Sequence, residues 1–298
     1  MGIGRKILCT FVGASALVLG GSIYHQKVNL NFPLERVDRV KGDADRLIKL
    51  TQNSNEQVRQ SALMALRETY EYHPEDRNEI VNALIYSLQN DSFFAARREA
   101  ATVLHQIKVK DSRAVEQLIS SLTNDTNPQV RRNAAVALGA IGGEKAVAQL
   151  NLSLEDPYDI VREKTAKALY SAGNEKSVQP LIKRIKQDKS DAVRGVSAVA
   201  LGKIGGEDAI EPLLLALEDK NPRVRYCAIE GLLQNGSASR KDISEKIKQE
   251  LSALSSSRPT QNVSMWASLT REKIESLERN GNEGEQLQQK VDIALLGL

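Results

Sequence analysis

Large aromatic side chains are nearly missing: one Trp, four Phe and seven Tyr in 298 residues, or 4%. A chain so poor in rings has to build its core from Ala, Leu, Ile and Val, which suits close-packed helices better than a β-sandwich. Cysteine is scarcer still. Cys9 lies in an apolar N-terminal run and Cys227 stands alone in the remainder, excluding a disulfide framework and a cysteine-ligated zinc site. The three histidines, His25, His73 and His105, form no His-Glu dipeptide and no His-x-x-x-His pair, so no metal and no other cofactor is expected. An excess of one charge is also absent. The 41 basic and 38 acidic side chains leave a net +3, not the clustered basic face that marks a nucleic-acid partner.

The first 24 residues are different in kind. Arg5 and Lys6 precede a charge-free run, "ILCTFVGASALVLGGSIY", at residues 7–24. At 1.5 Å of rise per residue it spans about 27 Å, close to the ~30 Å hydrocarbon core of a bilayer. A retained membrane anchor is the first reading. A cleaved signal peptide, with small Gly20, Gly21 and Ser22 near the cleavage point, is the alternative. For an anchor, Arg5 and Lys6 outweigh Lys27, so the positive-inside rule places the following residues on the non-cytoplasmic side.

What the chain has in abundance is repetition. Arg59, Arg97, Arg131, Arg162, Arg194 and Arg225 follow one another at 38, 34, 31, 32 and 31 residues. Six residues before them stand Asn53, Asp91, Asp125, Asp156, Asp188 and Asp219. Three after come Ala62, Ala100, Ala134, Thr165, Ser197 and Ala228, and seven after come Leu66, Leu104, Leu138, Leu169, Leu201 and Leu232. A fixed period in this range signals stacked units. Each unit reads as two helices. The first starts near Pro128 or Pro222 in the two units that carry proline there. It ends at glycine: Gly139 or Gly142, Gly173, Gly202 or Gly205. The second carries apolar residues at helical spacing, as in Val147, Leu150 and Leu154 or Val178, Leu181 and Ile185. "GAIGGE" recurs as "GKIGGE" after a helix rather than a strand, so it is not a phosphate-binding loop.

The pattern Asp-x-x-x-x-Val-Arg-x-x-Ala-Ala-x-Ala-Leu-Gly-x-Ile-Gly resembles the HEAT repeat, in the short form found in phycobilisome bilin lyases. The resemblance implies an all-α fold, a right-handed α-solenoid of about six helix pairs. It also implies a ladder in which Asp caps a helix start and Arg pairs with a neighbouring Asp: Asp91 and Arg97, Asp125 and Arg131, Asp156 and Arg162, Asp188 and Arg194, Asp219 and Arg225. The expected organisation is a membrane segment at 1–25, a linker at 26–42, the solenoid at 43–255 and a helical cap at 256–298.

No residue set reads as catalytic. The recurrent carboxylates belong to the ladder, and Cys227 has no histidine in its sequence context. In HEAT solenoids the second helices line the concave, partner-binding side. That implies a surface carrying Tyr86, Gln117, Gln149, Gln179, Lys183 and Arg184, polar in the early repeats and basic at "LIKRIK". The expected function is a membrane-associated, non-enzymatic scaffold for another protein. A bilin lyase or tetrapyrrole-handling chaperone is the alternative that the repeat subtype implies. The full chain is expected to stay with membranes through a carbonate wash, with its N-terminus still near Met1. A mature N-terminus near residues 20–24 would instead mark signal cleavage and export of a soluble protein.

Overall fold

A computed structural model describes residues 43–256, 267–272 and 274–276. The expected membrane segment at 7–24, the expected linker at 26–42 and most of the expected cap at 256–298 lie outside them. Among the described residues every regular element is an α-helix or a 3-10 turn, and no helix is long and apolar enough to cross a membrane.

A short helix, α1 (Ala44–Leu50), precedes six helix pairs. These are α2 (Glu56–Tyr72) with α3 (Arg77–Asn90), α4 (Phe94–Gln106) with α5 (Ser112–Asn124), and α6 (Pro128–Ile141) with α7 (Glu144–Ser153). There follow α8 (Asp159–Ala172) with α9 (Val178–Gln187), α10 (Asp191–Ile204) with α11 (Ile210–Ala216), and α12 (Pro222–Gln234) with α13 (Lys241–Ser256). First helices pack on the first helices of adjacent repeats, and second helices on second helices, which makes the stack a solenoid. Residues 267–272 and 274–276 are helical, and Ala267 and Ile274 join the same core.

Local chemistry sets the helix starts. Pro128 and Pro222 occupy first helical positions, behind Asn127 and Asn221, whose side chains accept the N–H groups of Gln129 and Arg223 at 2.9 Å. The first pair is longer because α2 runs on to Tyr72 and a 3-10 turn, Pro74–Asp76, precedes α3.

The core follows the counted positions. Leu66, Leu104, Leu138, Leu169, Leu201 and Leu232 are all 0% exposed, and so are the six small residues four positions before them. The second helices contribute Leu84, Leu118, Leu150, Leu181, Leu213 and Ile247, likewise at 0%. Six repeats therefore share one continuous core.

The glycines divide into two jobs. Gly142 (φ 73°), Gly173 and Gly205 end their helices, each N–H reaching the carbonyl of the repeat's core leucine at 2.7–2.8 Å. Gly139 and Gly202 are not caps. They lie buried inside α6 and α10, where first helices touch. A Cβ on Gly202 would stand 2.3 Å from the Gly231 Cα, and one on Gly139 2.5 Å from the Ala168 Cβ. These glycines let backbones approach where any side chain would force them apart.

Two substitutions test this packing. Leu169→Ala leaves a cavity in the shared core and should cost about 2–5 kcal/mol. Gly202→Ala, which adds a single methyl group, should cost about 1–3 kcal/mol by overpacking. Denaturant unfolding followed by circular dichroism reads both; a silent Gly202→Ala would show that the α10–α12 contact relaxes freely.

Candidate functional site

The best-defined side-chain array is the ladder along one edge of the stack. Each arginine turns its fork onto the aspartate of the following repeat. Arg97 donates from Nε and Nη2 to Asp125 at 2.6 and 2.9 Å, and Arg131 to Asp156 at 2.7 and 3.0 Å. Arg162 holds Asp188 at 2.7 and 2.8 Å, and Arg194 holds Asp219 at 2.7 and 2.9 Å. Arg59 opens the series on Asp91, and Arg225 closes it on Glu250 at 2.5 Å. From Arg97 on, the aspartate six residues earlier gives the arginine its backbone carbonyl instead: the Nη1 groups reach those oxygens at 2.7–3.0 Å.

Every ladder aspartate also accepts a backbone N–H two residues on, from Phe93, Asn127, Tyr158, Ser190 and Asn221, at 2.8–3.0 Å. One carboxylate thus ties its own turn and the preceding repeat's first helix together. The bond to the partner carboxylate raises the pKa of Arg59, Arg97, Arg131, Arg162 and Arg194, outweighing burial, which lowers it. Burial alone would raise Asp188 and Asp219. Their arginine partners and turn N–H groups prevail and hold both below the ordinary carboxylate value.

The second-helix face is a looser array. Its repeats align on the carbonyl that accepts the ladder aspartate's N–H: Ser87, Ser121, Ser153, Arg184 and Ala216, at 3.0–3.2 Å. The residues just before them, Tyr86, Ser120, Leu152, Lys183 and Leu215, are all exposed and form one row along the stack. Of the six surface residues expected from sequence, Tyr86 and Lys183 fall in this row. Gln117 and Gln149 are half-buried one turn earlier, and Gln179 is exposed one turn before Lys183.

Arg184 requires a correction. It is only 8% exposed and does not belong to an open basic surface. It occupies the place that serine holds in three other repeats. From there its Nη2 reaches Glu155 of the preceding repeat at 3.0 and 3.1 Å, and its Nη1 reaches Asp188 at 3.4 Å. Lys183 also donates to Glu155, at 2.8 Å. Lys183 and Arg184 therefore share one carboxylate across a repeat boundary. Sequence reasoning missed Leu152 and Leu215, 69% and 51% exposed, although both follow the apolar helix pattern one step out of phase.

Two other groupings bring chemically capable side chains together. Cys227 lines a cleft of about 310 Å³ with Glu163, Asp191, Gly195 and Arg223. Burial pushes its thiol up to about 11, leaving it protonated at neutral pH, and no histidine lines the cleft. His73, Glu75 and Asp76 place potential ligand atoms within 4.8 Å of one another on the turn before α3. Glu75 is exposed while His73 and Asp76 are half-buried, and His73 Nδ1 faces Glu75 at 3.4 Å.

A solenoid of helix pairs tied by an edge ladder defines a class of repeat protein. The family profile for HEAT repeats matches residues 81–170 and 178–247, and the chain belongs to that family. No curated protein matches the sequence. Among solved structures it is similar to E. coli YibA, at 21% identity and a TM-score of 0.57 over 90% of this chain and 98% of that one. It is also similar to the complex of CpcE and CpcF of phycocyanin lyase from Nostoc sp. PCC7120, at 24% identity and a TM-score of 0.48, covering 72% of this chain and 94% of that one. An engineered protein aligns at 20% identity and a TM-score of 0.46, over 65% of this chain and 99% of that one.

The ladder generates a pH prediction. Asp188 and Asp219 have folded pKa values below their unfolded ones, so their contribution is present above about pH 4 and is lost as the pH falls through the folded values. Melting temperature should therefore fall as the medium is acidified below about pH 4. Asp188→Asn, which keeps an oxygen for the Ser190 N–H but removes the charge, should cost about 1–3 kcal/mol at neutral pH and flatten that acid limb. An unchanged acid limb in the variant would show that Asp188 is not the group responsible.

Proposed function

We propose that this HEAT-repeat protein is a non-enzymatic scaffold that docks another protein on its second-helix face and is held at a membrane by residues 7–24. The observation that carries the docking half is the row Tyr86, Ser120, Leu152, Lys183 and Leu215. Three of its five members are large apolar or aromatic side chains left at least half exposed, at 53%, 69% and 51%. They share one register in the first, third and fifth repeats, with Ser120 and Lys183 between them, so the face alternates apolar and polar contacts along the stack. The ladder supports the non-enzymatic half, because its recurrent acids and bases are bonded to each other and are not free for proton transfer. The membrane half rests on the charge-free N-terminal run.

Affinity capture with the full chain, solubilised from membranes, tests the reading. Leu152→Asp with Leu215→Asp should weaken partner capture about tenfold or more, since buried apolar anchors dominate interface energy. Helicity and melting temperature should barely move, because exposed substitutions usually shift stability by less than about 0.5 kcal/mol each. Capture unaffected by the double variant would place the docking surface elsewhere. A shifted absorption band on mixing the chain with a linear tetrapyrrole would favour the bilin-lyase alternative.

A further inference from the structure

Two dents in the second-helix face narrow the identity of what docks there, and this inference rests on the scaffold reading above. The first, about 340 Å³, lies between the ends of α1 and α3 and is lined by Gln52, Asn53, Tyr86, Ser87 and Asn90. The second, about 220 Å³, lies one repeat along, between α3 and α5, with Gln89, Gln117, Ser120 and Asn124 in its wall. Both have ladder residues at their base: Arg59 and Asp91 in the first, Arg97 and Asp125 in the second. Those charges are closed on one another. A charged ligand would therefore surrender hydration there and find no free countercharge.

What the dents offer is carboxamide. The side-chain amides of Gln52, Gln89 and Asn124 are exposed and that of Gln117 is half-buried, and none of the four bonds to another described residue. Asn90 gives one N–H to the Tyr86 carbonyl at 3.1 Å and keeps its oxygen. The Ser87 hydroxyl, in a residue 2% exposed, is also without a partner. A carboxamide presents a donor and an acceptor together, matching the N–H and C=O of a peptide unit. The walls carry different side chains at one register, Tyr86 then Ser120, with Leu152 next along the row. Two repeats farther on the arrangement is replaced, because Arg184 stands where Ser87 and Ser121 stand and reaches Glu155.

We propose that these adjacent dents bind an extended, uncharged segment of the partner protein. Asn90, Asn124 and the neighbouring glutamines pair with its main chain, and its apolar side chains rest on Tyr86 and Leu152. An extended chain returns the same side-chain direction about every 6.6–6.8 Å, so alternate residues face the same wall. A neutral oligosaccharide would meet the same amides and could stack on Tyr86; the aliphatic Leu152 in the row favours the peptide.

The test uses the full chain panned against phage-displayed peptides lacking Asp, Glu, Lys and Arg, with each selected peptide then remade carrying single N-methyl amides. Selected peptides should bind independently of salt. They should bind about tenfold more weakly to Asn90→Ala with Asn124→Ala, and lose affinity when alternate amides are N-methylated. The N-methyl series uses the unaltered protein, so it stands whatever the double variant does to folding. Enrichment of no peptide over the double variant, or affinity indifferent to N-methylation, would overturn the proposal. So would a glycan array on which oligosaccharides alone bind in an Asn90- and Asn124-dependent way. A partner protein captured equally by parent and double variant would sink this inference while leaving the scaffold reading intact; capture of no partner would sink both.

Discussion

The guanidinium fork of the ladder arginine is the interaction on which the stack depends. Apolar packing between Ala- and Leu-rich helices is strong but non-directional, and it would tolerate a helix sliding along its neighbour. The fork does not. Its Nη1 fixes the arginine to its own turn, and its Nε and Nη2 fix the next repeat's turn at bonding distance. At Arg162–Asp188 the side chains are only 12% and 1% exposed. Removing one member of such a pair strands a desolvated charge, whereas the pair as a whole adds little net energy. The ladder therefore acts more on geometry than on total stability, which suits an array in which each repeat touches only its neighbours.

The ends of the array show how the ladder is started and stopped. At the front, Asn53 takes the aspartate's place and caps its turn through the Asn55 N–H at 2.9 Å, while its carbonyl receives Arg59. A neutral amide there avoids placing a carboxylate where no preceding described repeat supplies an arginine. At the back, the acceptor is Glu250, within α13 rather than in a turn. The longer side chain reaches a guanidinium that an aspartate on the same helix would leave short. The front end keeps the bond to the arginine's own turn, while at the back Arg225 keeps its Nη1 bond to Asp219 and replaces the two-point fork with one Nε bond to Glu250.

Most of the fold was legible because each fact is repeated six times. The Arg-x-x-small-x-x-x-Leu register marks the buried stripe of every first helix, and its 0% exposed leucines and small residues are the same ones that recur. The glycines were only half legible. "ALGAIGG" and "ALGKIGG" hold a packing glycine and a terminating glycine three residues apart, and composition cannot tell a glycine needed for close approach from one that ends a helix. The surface was less legible still. Arg184 sits off the Val178, Leu181 and Ile185 stripe, so helical phase alone places it outside. Its burial belongs to its place in the stack, where Ser87, Ser121 and Ser153 are also buried, and its partner Glu155 lies in the preceding repeat, which no pattern within α9 names. The row through Leu152 and Leu215 was hidden by spacing. Those two precede their aspartates by four residues, while Tyr86, Ser120 and Lys183 precede theirs by five. Only the hydrogen bonds of the turn restore the alignment.

These observations separate two kinds of information in one repeat. Residues that recur are consumed by the stack: leucines in the core, glycines and alanines at helix contacts, arginines and aspartates in each other. Residues that differ at one register occupy the same place on successive repeats, so the solenoid converts differences scattered along the chain into neighbours on a surface. Tyr86, Ser120, Leu152, Lys183 and Leu215 form such a line, and the two amide-lined dents lie along its first part. At Arg184 the line changes character because one charged side chain fills a place made for serine. On the docking reading proposed above, recognition lies where the repetition fails, and the ladder holds those positions in register with one another.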